Sequence, residues 1–171
     1  VNGGTHIDVM SDNYEAGKLQ GEYLAKTLPQ GAKVVYLEGT STQASAQERL
    51  RGFREACLSK RSDIELLDVQ DGDYSKTEAM KITSLWLTLF PQIDGVICGN
   101  DMMALGAVEA LKASGRLQGC QVSGVDAVDD AITAIKNGEM VQTVKQDAVT
   151  QAESAADLVA QIVQGGNPSS V

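Results

Sequence analysis

Short β-branched, apolar runs alternate with longer stretches of helical pattern along the chain, and this alternation restricts its fold more than any other feature. Strands separated by helices form parallel sheets, because a crossover helix joins parallel neighbours. The predicted strands are His6–Met10, Lys33–Glu38, Glu65–Val69, Gly95–Cys98, Gln121–Val125 and Val141–Lys145. Several are apolar on both faces, as expected where helices cover both sides of a sheet. We predict an α/β fold, a Rossmann-like three-layer sandwich around a mainly parallel sheet.

Polar residues mark where several helices begin. Capping-box spacing, or a close variant, occurs at Asp12–Glu15, Ser45–Glu48 and Ser75–Glu78. The apolar run 85–90 stops at Pro91, which predicts a buried helix end with Trp86 in the core.

Composition and missing motifs exclude several function classes. The net charge of −9 disfavours nucleic acid, whose phosphates need a basic surface. His6 is the single histidine, and the three cysteines form no C-x-x-C pair, so triad chemistry and zinc sites are not expected and the thiols are predicted to be buried. Neither a P-loop, a G-x-G-x-x-G motif nor a G-x-S-x-G elbow is present. We predict a protein that is not an enzyme and that holds no cofactor or metal.

Polar side chains follow the predicted strands where each one ends. Asn100 comes after Gly95–Cys98, Asp126 after Gln121–Val125, and Gln146 after Val141–Lys145. Tyr74 follows the strand that begins at Glu65, and Arg49 lies in the helix after Lys33–Glu38. Ligands of open α/β sheets bind at the carboxyl ends of the strands. Amide, carboxylate and guanidinium groups can bridge adjacent hydroxyls and an aromatic ring can cover a C–H patch, so this set suits a polyhydroxylated ligand.

Each of these residues also has a purely structural interpretation. Asn100 and Asp126 could be N-caps of the following helices, with even odds between cap and ligand contact. Arg49 alone is typical of a solvated helix charge, and Tyr74 of a half-buried loop anchor. A strand-to-helix turn does not need a glutamine, so Gln146 is the residue that structure explains least. The convergence of all five favours a binding site.

Five motifs, in order from Ser11 to Gln146, resemble those of one family. They are S-D-N-x-x-x-G at 11–17, R-x-x-G-F at 49–53, N-D-x-M-A-L-G-A at 100–107, G-x-D at 124–126, and I-K-N-G-E-M with T-V-K-Q at 135–146. Together they resemble the type I periplasmic sugar-binding proteins, most nearly the ribose-binding branch. Tyr74 and Val125 stand where that branch usually has phenylalanine.

The resemblance implies a two-lobed solute receptor that closes on a sugar and delivers it to an ABC-transporter permease. It implies that Arg49, Tyr74, Asn100, Asp126 and Gln146 contact the sugar, a monosaccharide or related polyol. The resemblance implies a protein in the periplasm, or an extracytoplasmic lipoprotein that is tethered to the membrane. The alternative is the effector-binding domain of a lactose-repressor-type regulator, which shares this fold and would carry an upstream helix-turn-helix.

The resemblance also divides the chain into three parts. Residues 1–10 would be an interlobe crossing, residues 11–146 the sugar-contacting second lobe, and residues 147–171 a helix and tail that return to a first lobe preceding Val1. The predicted helix at 149–163 carries an apolar stripe. If it belongs to the first lobe, the stripe is either exposed or buried against another chain, which leaves self-association open.

Overall fold

The computed structural model describes residues 12–146, in which five strands alternate with five helices. The strands are β1 (Lys33–Glu38), β2 (Glu65–Asp71), β3 (Gly95–Cys98), β4 (Gln121–Val125) and β5 (Gln142–Val144). The helices are α1 (Asn13–Thr27), α2 (Ala44–Phe53), α3 (Lys76–Leu89), α4 (Asp101–Ala113) and α5 (Asp129–Lys136), and a π-helical turn at Arg54–Leu58 continues α2. The predicted strand His6–Met10 and the segments 1–10 and 147–171, including the predicted helix at 149–163, lie outside the described residues.

All strands of the sheet are parallel and lie in the order β2-β1-β3-β4-β5. Each strand predicted within residues 12–146 is present, although β2 extends to Asp71 and β5 is limited to three residues. The predicted α/β fold with a parallel sheet is therefore confirmed.

Apolar side chains project from both faces of the sheet, and helices pack against each face. Val34 and Tyr36 of β1 pack with α1 and α2, whereas Val35 and Leu37 pack with α3, α4 and α5. Trp86 belongs to the second group and is 1% exposed, as predicted. Alternate residues of a strand point to opposite faces, so a continuous apolar run builds two cores around one sheet.

Two glycines let α1 and α2 approach closely. A Cβ atom at Gly17 would lie 1.9 Å from the carbonyl oxygen of Arg49, and one at Gly52 would lie 2.2 Å from that of Tyr14. Both clashes are with backbone, which cannot move without separating the helices. The glycines of the first two motifs therefore determine how far Arg49 stands from α1.

The predicted helix starts have different outcomes. Ser75 caps α3, because its hydroxyl accepts a hydrogen bond from the Glu78 amide. The Ser45–Glu48 prediction is wrong, since the N-cap of α2 is Gln43 and Ser45 lies inside the helix. The Ser45 hydroxyl instead lies 3.2 Å from the Tyr74 hydroxyl.

The cysteines and helices of the described region fit a small α/β domain. Cys57, Cys98 and Cys120 are buried free thiols, as predicted, and burial raises the pKa of each. Among the helices within residues 12–146, none combines the length and apolar character that crossing a membrane requires.

Candidate functional site

Each of the five predicted site residues follows one strand of the sheet along the chain. Asn100 and Asp126 lie at the carboxyl ends of β3 and β4, and Gln146 follows β5 by two residues. Tyr74 lies in the loop between β2 and α3, and Arg49 lies in α2. The structure brings Arg49 and Asp126 close enough for their charges to interact, and Arg49 contacts the residue before Asn100.

Arg49 is buried, with 7% of its surface exposed, so it is not a solvated helix charge. Its Nε donates to Oδ1 of Asn13 over 3.0 Å, and its Nη1 donates to the carbonyl oxygen of Gly99. These bonds tie α2 to the start of α1 and to the end of β3. A buried guanidinium with fixed orientation can bind a ligand without the entropy cost of ordering a flexible side chain.

The loop that carries Tyr74 is held by two acidic side chains. The Asp71 carboxylate accepts hydrogen bonds from the amides of Ser41 and Asp73, at 2.8 and 2.9 Å, and Asp73 accepts from the Thr40 hydroxyl at 2.6 Å. Asp73 and Tyr74 both have left-handed backbone, with φ of 51° and 54°. The carboxylates thus stabilise an otherwise unfavourable turn.

The Tyr74 ring lies directly against Gly39. A Cβ atom at that glycine would lie 2.0 Å from Cζ of the ring, so only glycine leaves room for it. The phenolic oxygen is within hydrogen-bond distance of the Ser45 hydroxyl. The ring is anchored at its face and at its tip, and remains half-buried.

Asn100 is the N-cap of α4, so that structural interpretation is confirmed. Its Oδ1 accepts a hydrogen bond from the Met103 amide over 3.0 Å, and its backbone is extended. The side chain is 8% exposed. Because this bond occupies Oδ1, the Nδ2 group can still donate a hydrogen bond to another partner.

Asp126 is not a helix cap, because the N-cap of α5 is Val128. Its backbone is unusual for a residue with a side chain, with φ of 119°, and Ala127 follows with φ of 57°. Burial raises the pKa of Asp126, and the Arg49 charge opposes that rise. A half-buried carboxylate in a strained loop, with no capping task, is a strong candidate for ligand contact.

Three buried polar residues around these positions were not singled out from the sequence. Asn13 receives the Arg49 hydrogen bond, and Gln20 donates from Nε2 to the Cys98 and Gly124 carbonyls at 3.1 and 3.2 Å. Asp101 is fully buried. Asn13 and Asp101 stand inside the quoted motifs, which could have pointed to them, whereas Gln20 belongs to none of those motifs.

A groove of about 450 Å³ lies beside α2, and none of the five residues lines it. Two arginines, two glutamates, a glutamine and a leucine line the groove: Glu38, Gln47, Leu50, Arg51, Arg54 and Glu55. Arg49 and Asp126 each follow a strand and carry a buried or half-buried charge, and the backbone of Asp126 is strained, so they mark the better candidate site.

A family model described as a periplasmic binding protein domain matches residues 6–167. The chain is 35% identical over 138 residues to a ribose import binding protein from Salmonella typhimurium, covering 81% of this chain and 46% of that protein. It is 33% identical over 157 residues to a D-ribose/D-allose-binding protein from Pseudomonas aeruginosa, covering 92% of this chain and 49% of that protein.

The fold is also similar to that of a solved structure. A periplasmic solute-binding protein of an ABC transporter from Actinobacillus succinogenes, with bound D-allose, superposes with a TM-score of 0.88 at 29% identity. The match covers 95% of this chain and 58% of that one. The chain spans about half the length of the curated relatives it matches.

Proposed function

Because the chain belongs to the periplasmic binding protein family, as its motifs predicted, we propose that it is the sugar-contacting lobe of an ABC-importer receptor. The receptor would bind a monosaccharide or related polyol between this lobe and a first lobe, without catalysis, and deliver it to permease subunits. The periplasmic location predicted from the resemblance is confirmed by the family.

The observation that carries this proposal is the Asp126 carboxylate at the end of β4, interacting with the buried Arg49 guanidinium. Neither group is needed to cap a helix, and both stand where α/β sheets bind ligands. A carboxylate accepts from two neighbouring hydroxyls and a guanidinium donates to two, which matches a vicinal diol. Ribose and allose, which the names of two relatives include, both carry such diols.

The other predicted residues have distinct roles in this proposal. The Tyr74 ring, anchored on Gly39, would lie against the C–H face of the sugar. The Asn100 Nδ2 group would donate to a hydroxyl while Oδ1 caps α4. Gln146, two residues after the end of β5, would supply a second amide.

We predict that Asp126→Ala and Arg49→Ala each weaken sugar binding by about 1–3 kcal/mol, because each removes a charged hydrogen-bonding partner from a desolvated site. Calorimetric titration of D-ribose, D-allose, xylitol and myo-inositol into the protein expressed from the complete coding region that includes this chain provides the measurement. Asp130→Ala, an exposed carboxylate in the first turn of α5, serves as the matched control and should bind as the parent does. Unchanged affinity in both test variants would rule out this site.

A further inference from the structure

We propose that Asp101 and Thr143 are positioning residues for Asp126: they hold the loop 126–128 in the backbone conformation that presents the Asp126 carboxylate at the sheet edge. The proposal rests on the proposed function, because it takes Asp126 as a sugar ligand. Neither residue needs to touch the sugar itself.

The loop requires such support because its backbone is strained. Asp126 and Ala127 both have positive φ, at 119° and 57°, and neither is glycine. Residues with side chains in these regions cost about 1–3 kcal/mol each and persist only where neighbouring structure enforces them. One restraint is the bond from the Asp126 amide to the Val144 carbonyl, 2.8 Å long.

The Asp101 carboxylate provides the next restraints. Its Oδ2 accepts a hydrogen bond from the Val128 amide at 3.0 Å, and its Oδ1 accepts from the Thr143 hydroxyl at 2.7 Å. The same hydroxyl oxygen accepts from the Ala127 amide at 3.1 Å. The two amides that follow Asp126 are therefore both held by this pair of side chains.

Packing around Asp101 also indicates a dedicated role. The residue has no exposed surface, and a Cβ atom at Gly124 would lie 2.2 Å from its Oδ1. An aspartate whose only role was to interact with the α4 helix dipole would stabilise the helix as much from an exposed position, without the free-energy cost of burying a carboxylate. The cap of α4 is supplied by Asn100, and the Asp101 oxygens bond to β5 and to the loop instead.

The pKa of Asp101 also reflects the charge of Asp126. Burial raises the pKa of Asp101 to about 6, the Thr143 and Val128 hydrogen bonds oppose the rise, and the charge of Asp126 adds to it. The two carboxylates are close enough to repel. The hydrogen bonds from the Ala127 and Val128 amides oppose this repulsion by holding the loop in place.

The test is the isosteric change Thr143→Val, which deletes the hydroxyl and preserves the shape. We expect about tenfold weaker binding of the sugar preferred among D-ribose, D-allose, xylitol and myo-inositol, in the protein from the complete coding region. Thr143→Ser keeps the hydroxyl and should retain most of the affinity. Thr83→Val is the matched control, since the Thr83 hydroxyl is buried without a hydrogen-bond partner among the described residues, and it should bind normally.

A double-mutant cycle with Asp126→Ala separates positioning from general damage. If Thr143 acts through Asp126, adding Thr143→Val to Asp126→Ala should weaken binding no further. Full additivity, or normal affinity in Thr143→Val while Asp126→Ala binds weakly, would overturn the positioning role. Normal affinity in Asp126→Ala would overturn the proposed sugar site itself, and the positioning proposal with it.

Amide hydrogen exchange tests the restraint without any sugar. The Ala127 amide should exchange about tenfold faster in Thr143→Val than in Thr83→Val, because only the first change removes its acceptor. Equal exchange in the two variants would show that the loop keeps its conformation without the Thr143 hydroxyl, and would overturn the proposal.

Discussion

At the residue scale, the candidate site is built from charged groups whose neighbours define their orientation. Arg49 is held by Asn13 and by the Gly99 carbonyl, and Asp126 by the loop that Asp101 supports. A sugar hydroxyl exchanges hydrogen bonds with water for hydrogen bonds with protein, so the net gain of each bond is small. A receptor therefore gains affinity by having its own groups already ordered and partly desolvated. The buried polar residues Asn13 and Asp101 maintain that order through their hydrogen bonds.

One consequence is a pH-dependent stability that originates at Asp101. Its pKa of about 6 in the folded protein lies above the value of about 3.9 in an unfolded chain, so the folded state binds the proton more tightly. Stability contributed by this group is therefore greatest below about pH 4 and is lost as the pH rises through 6.

We predict that the free energy of unfolding falls between pH 4.5 and pH 7 by on the order of 1–3 kcal/mol more in the parent protein than in Asp101→Asn. Urea titrations at both pH values measure this difference. Glu38 also has a raised pKa and contributes alike to both proteins. The charge of Asp126 raises the pKa of Asp101, so the difference measures Asp101 together with its interaction with Asp126. Parallel pH profiles would contradict the prediction.

At the element scale, helix crossings position the site. The α1–α2 crossing is close because Gly17 and Gly52 each face backbone of the other helix. The Arg49 side chain then reaches Asn13 on α1, which it could not do if the helices stood farther apart. This contact explains the glycines of the first two motifs, because a side chain at Gly17 or Gly52 would overlap the backbone of the opposite helix.

We predict that Gly52→Ala lowers stability by about 1–3 kcal/mol, because its Cβ would overlap the Tyr14 carbonyl and push the helices apart. Sugar affinity should also fall, since Arg49 would move away from Asn13. Thermal unfolding and calorimetric titration measure the two effects. Thr77→Ala, at an exposed position of α3, is the control and should change stability by no more than about 0.5 kcal/mol. An unchanged melting temperature in Gly52→Ala would show that the crossing is not tight.

At the scale of the whole molecule, the strand order decides where the site residues meet. In the order β2-β1-β3-β4-β5, the chain leaves β1 and β3 in opposite directions along the sheet, which opens a crevice at their carboxyl ends. Arg49 follows β1 and Asn100 follows β3, so the two flank this crevice. An open edge of this kind exposes a ligand to solvent until a second body covers it.

We therefore predict that residues 1–171 alone bind sugar far more weakly than the protein from the complete coding region, because the chain spans about half the length of its relatives. In the proposed two-lobed receptor, a ligand bound to this lobe alone would keep its contact with water, and closure of the first lobe could not trap it. Titration of both proteins with D-ribose and D-allose compares them. Nanomolar affinity in the 171-residue chain would contradict the two-lobed proposal.

Much of the fold and the location of the candidate site could be predicted from the sequence. The strands within residues 12–146, the parallel sheet, the buried Trp86 and the Ser75 cap follow from periodicity and local chemistry, which depend on neighbours in the chain. The candidate site is a prediction from the sequence, because the carboxyl ends of parallel strands share one edge of the sheet. The Ser45 cap prediction was wrong because α2 begins before Ser45, at Ala44, and the Ser45 hydroxyl lies beside the Tyr74 hydroxyl.

By itself the sequence determined the fold class, the family and the set of polar residues at the strand ends, because these depend on spacing along one dimension. Only the tertiary structure decided which of those residues have structural tasks: Asn100 caps α4, whereas Asp126 caps no helix. It alone revealed the hydrogen-bond partners of Asn13, Gln20 and Asp101, which lie between 27 and 104 positions away in the chain. Burial and hydrogen bonding between distant segments arise only when the chain folds, so no local pattern encodes them.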